Sequence, residues 1–83
     1  MTTFNGAVSR LKTEIRRRAS RGATEISAVD VANVQRGALR GASRGAAVRR
    51  AFADLVDEGL LKTTNLVEYN SDTHHSVTVY RVL

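Results

Sequence analysis

The order of patterns along these 83 residues predicts an α+β fold of three helices followed by a two-stranded β-hairpin, with a short strand at Ile26. Two observations carry most of this. Two stretches repeat apolar residues at helical spacing, and the last third alternates Thr, Val and Tyr on both sides of a turn. A third observation limits the size of the answer. A chain of this length buries only around 60% of the surface it exposes when unfolded, so residues 1–83 read as one domain with a thin core.

Phe4, Val8, Leu11 and Ile15 are spaced by four, three and four, which is one face of a helix over roughly residues 3–19. Arg16, Arg17 and Arg18 crowd its last turn, where cations suit the helix dipole, and Gly22 ends it. Ile26 is an isolated β-branched residue, read as a one- or two-residue strand. Ser27 followed by Asp30 has the spacing of a capping box and predicts a short helix from Ala28 to about Gln35 that buries Val31 and Val34. Gly37 and Gly41 mark a basic connection.

The third helix is predicted over about residues 43–58, capped by Ser43 and stopped by Gly59. Val48, Phe52, Leu55 and Val56 form its apolar stripe, with Arg50 nearly opposite and Arg49 at the flank. Residues 62–69 and 76–83 then form the hairpin, with Asn70, Ser71 and Asp72 as turn formers.

Charge is segregated along the chain. Residues 1–50 hold 11 Lys or Arg against Glu14, Glu25 and Asp30, a balance of +8. Residues 51–83 hold Lys62 and Arg81 against five acids, a balance of −3. Between Asp30 and Asp54 there are five arginines and no acid. An uncompensated positive field of this kind raises the local concentration of polyanions, and arginine supplies a planar donor fork suited to phosphate and to guanine edges. A GC-rich genome accounts for a preference for arginine but not for its segregation.

Three motifs then carry a resemblance. ISAVDVANV (26–34) resembles the strand and second-helix start of the winged helix-turn-helix family of small DNA-binding domains. ADLVDEGLL (53–61) resembles that family's recognition-helix exit, and VTVYRVL (77–83) its returning wing strand. The match spans nearly the whole chain. It departs in the link from Gln35 to Ala42, which is longer and richer in glycine than the family's tight turn.

The resemblance implies a DNA-binding protein, a small transcriptional regulator with its third helix in the major groove. By position, Ser43, Arg44, Ala47, Arg49 and Arg50 are then the groove contacts. Arg36 and Arg40 in the link become phosphate contacts, and His74 and His75 become wing-tip residues that touch phosphate or the minor groove. The bland readings are a solvated face, and an i, i+4 pair between Arg50 and Asp54.

Double-stranded DNA is the expected partner, with a homodimer through the first helix. Alternatives are an RNA-binding module of a ribonucleoprotein and a protein-interaction module for an acidic partner. RNA recognition favours aromatic stacking platforms, and only Phe4, Phe52, Tyr69 and Tyr80 are available, which tilts the reading toward duplex DNA.

Other function classes find little support. The adjacent histidines point to opposite faces of a strand and have no cysteine or converging carboxylates near them in sequence, so no metal is expected. No phosphate loop and no nucleophile with an evident base occurs, so neither an enzyme nor a cofactor or small-molecule ligand is expected. No apolar run approaches the roughly 20 residues that span a bilayer. The expected location is cytoplasmic and nucleoid-associated, without a membrane partner.

Overall fold

A computed structural model of the protein describes residues 3–31, 41–70 and 75–83. These form two helices and a three-stranded antiparallel sheet in the order α1 (Phe4–Ser20), β1 (Glu25–Ser27), α2 (Gly41–Asp57), β2 (Leu61–Asn70) and β3 (His75–Val82). The α+β class is the expected one. The three-helix winged arrangement, however, is not what the described residues present.

Both long helices end as their glycines dictate. Thr3 caps α1, its hydroxyl accepting from the Gly6 N–H at 3.0 Å. At the other end Gly22 takes φ +96°, and the Gly22 and Ala23 N–H groups donate to the carbonyls of Ala19 and Arg18. Gly59 repeats this after α2, at φ +82°, with the Leu60 N–H on the Leu55 carbonyl. Such a left-handed stop satisfies carbonyls that a helix end leaves open, and glycine adopts it without steric cost.

The core is a single cluster. Ala7, Val8, Leu11 and Ile15 of α1 meet Ala47, Ala51, Phe52 and Leu55 of α2, with Ile26, Val31 and Leu61 completing it. Two expectations need correction here. The buried stripe of α2 is rotated toward Ala47 and Ala51, while Val48 and Val56 are only half-buried. Phe4, at the end of the α1 stripe, is 39% exposed. The cause is the packing of α1 against α2, because small side chains let two helices approach closely.

The predicted helix over 28–35 is not formed by its described residues. Ala28–Val31 form a turn closed by an Asp30 N–H bond to the Ser27 carbonyl, and residues 32–35 lie outside the described residues. One half of the Ser27–Asp30 capping box forms, and the other goes to a neighbour. Asp30 Oδ2 accepts from the Ser27 N–H at 2.8 Å, and Ser27 Oγ accepts from the Val29 N–H at 3.3 Å. Ser43 is a further correction. Since α2 begins at Gly41, Ser43 stands inside the first turn rather than capping it.

Both strands of the hairpin reach one residue further toward its tip than predicted, while β2 starts one residue earlier and β3 ends one residue earlier. The hairpin recruits β1 into a sheet of order β1-β3-β2. Ile26, Tyr80 and Thr63 align across the strands, and the Tyr80 ring stacks on Phe52 with centroids 4.5 Å apart. That row therefore faces α2. Alternation puts the next row, Glu25, Arg81 and Lys62, on the outer face. A bulge between Thr63 and Val67 shifts the register of β2. There the Thr64 hydroxyl substitutes for a ladder donor, reaching the Val79 carbonyl at 2.6 Å.

Candidate nucleic-acid interface

Helix α2 distributes the predicted contact residues unevenly around its axis. Ser43, Arg49 and Arg50 are exposed and Arg44 is half-buried with a contact of its own. Ala47 is 1% exposed and belongs to the core, so the expectation that it touches a partner is corrected. Arg36, Arg40 and His74 lie outside the described residues, and of His75 only the backbone pairing with Asn70 is described.

Asp54 of α2 and Glu58 just after it are drawn toward α1. Lys12 Nζ lies 3.5 Å from Asp54 Oδ2 and 3.0 Å from Glu58 Oε2, and Arg16 also pairs with Glu58. Arg50 Nε donates to Asp54 Oδ1 at 3.0 Å, which is the i, i+4 pairing that the sequence spacing allows. These contacts shift the titration of all three groups between the helices. The hydrogen bond from Arg50 holds the Asp54 carboxyl below the usual carboxylate range. That from Lys12, with Arg16 beside it, does the same for Glu58, and the Glu58 hydrogen bond raises Lys12. Arg17 and Arg18 are held by Glu14 at 3.2 and 3.4 Å.

The pairing sorts the cations. Every arginine of the 16–18 run has an acidic partner, whereas Arg10, Arg21, Arg49, Lys62 and Arg81 form no ion pair among the described residues. On α2 the uncommitted cation is Arg49, which stands on the exposed flank beside the half-buried Gly45 and Ala46. Lys62 and Arg81 were not singled out in the sequence, because only the strand register brings them opposite each other. The α1–α2 ion pairs were equally hidden, since their partners are 42 residues apart.

The described residues contain no group of three or more His, Cys, Asp or Glu that could hold a metal ion. None of the described helices is long and apolar enough to cross a membrane. No protein-family model, curated protein or solved structure matches the chain.

Proposed function

We propose that the chain is a DNA-binding domain of the winged-helix type, a small transcriptional regulator in which α2 enters the major groove. The observation that carries this reading is the exposed side of α2. It presents Arg49 without an acidic partner, while Asp54 and Glu58 are neutralised by Lys12 and Arg16 of α1. The order helix, strand, helix, strand, strand agrees with that reading. Arg50 remains available despite its pairing. An exposed i, i+4 pair contributes about 0.3–0.5 kcal/mol, less than the roughly 1–3 kcal/mol of a good base contact.

A second reading is favoured by a different observation. Leu66, Val67 and Tyr69 of β2 are 52%, 65% and 62% exposed, an apolar strip that suits a protein partner. Titration of labelled duplex DNA against structured RNA at several salt concentrations separates the readings. Duplex binding that weakens steeply with salt supports DNA. Binding to neither nucleic acid leaves the protein-interaction reading.

The variant Arg49→Glu with Arg50→Glu tests the role of α2. Both side chains are exposed, so the circular-dichroism spectrum should be unchanged while duplex binding is lost. Wild-type affinity in that variant overturns the assignment of α2.

A further inference from the structure

Lys62 and Arg81 are directly opposite each other on β2 and β3, both exposed, on the sheet face turned away from the Phe52–Tyr80 stack. Cβ atoms of opposed residues in an antiparallel pair are about 5 Å apart, and like charges placed so repel. Glu25 stands opposite Arg81 on β1 but forms no ion pair with it, and the row of three keeps a net charge of +1. Lys12, Arg17, Arg18 and Arg50 have acids at 3.0–3.5 Å, while Arg10, Arg21 and Arg49 form no ion pair either but do not stand opposite a second cation across a strand pair. Two adjacent cationic donors that no acid holds in an ion pair are suited to a phosphate, which accepts from both and removes their repulsion.

We propose that Lys62 and Arg81 form a second contact for nucleic-acid backbone phosphates, on the outer face of the sheet and separate from the exposed side of α2. The inference rests on the DNA-binding reading and extends it to the outer face of the sheet. A contact of this kind contributes affinity and salt dependence rather than sequence preference.

The test is a titration of one labelled duplex across a salt series with wild type, Lys62→Gln with Arg81→Gln, and Lys62→Glu. The plot of log affinity against log salt should be shallower for the double variant by about 0.9 per lost phosphate contact. In Lys62→Glu, opposite charges replace like ones across the strands, so Tm without DNA should rise while duplex binding weakens. A double variant with the wild-type slope overturns the phosphate pair and leaves the role of α2 intact. A lowered Tm in Lys62→Glu also overturns it, because the two cations are then not in repulsion. A wild type that binds no duplex overturns the DNA-binding reading, and the phosphate pair with it.

Discussion

Leu55 is fully buried where α2 meets the rest of the core, and its carbonyl also receives the Leu60 N–H that closes the helix. Truncation at such a site removes apolar contacts and leaves a cavity, so Leu55→Ala should cost about 2–5 kcal/mol. Against a usual total of roughly 5–15 kcal/mol this is severe, and a thermal melt should fall by about 10 °C or more. A shift of a degree or two instead places the buried face of α2 elsewhere. Ser27 offers a second check. It is 1% exposed, with its hydroxyl donating to Glu68 Oε2 at 2.6 Å and accepting from the Val29 N–H. Ser27→Ala breaks both contacts and should cost about 1–2 kcal/mol, read from urea unfolding. Glu68→Gln should cost less, since the amide keeps an acceptor for the same hydroxyl.

Helix α2 and the hairpin are each held by one local device. For α2 it is Gly59 at φ +82°, around which a Cβ would meet nothing within 4 Å. The cost of Gly59→Ala is thus backbone strain alone, about 1–2 kcal/mol, and Gly59→Asn should recover part of it. Equal stability of the Ala variant in thermal melts means that the helix stop is not left-handed. For the hairpin it is Thr64, whose hydroxyl bridges the bulge by donating to the Val79 carbonyl and accepting from the Leu66 N–H at 3.0 Å. Thr64→Val keeps the shape and removes both bonds. Amide exchange at Leu66 should speed up, with α1 and α2 unaffected. Unchanged exchange there means that the bulge is held by strand pairing alone.

For the whole molecule, the ion pairs of Asp54 and Glu58, within α2 and between the helices, link stability to pH. Asp54 and Glu58 titrate below their ordinary values in the folded state, so the folded form holds its charge to lower pH than the unfolded chain does. Their contribution is full above about pH 4–4.5 and is lost as the pH falls through the depressed folded values. Lys12 is shifted upward, so its share persists through neutral pH and fades only above about pH 10.4. Melting temperatures measured from pH 7 to pH 2.5 should therefore drop on the acid side, and Lys12→Met should flatten that drop. A profile unchanged by Lys12→Met excludes the Lys12 pairs as its cause.

The sequence by itself determined what local chemistry determines. The spans of α1 and α2 followed from i, i+3 and i, i+4 spacing and from two glycines that can take positive φ. Strand character in the last third followed from β-branched and aromatic alternation. What tertiary structure decided is which of those residues remain at the surface. Alanine suits an exposed helix and a close helix contact equally, so nothing local distinguishes Ala47 and Ala51, both in the core, from Ala53 on the solvent side. Lys12 and Asp54 are 42 residues apart, and Lys62 meets Arg81 only through a register that a bulge has shifted. Charge can be counted along a chain, but its compensation depends on distance in space, and that distance exists only once the helices and strands have packed.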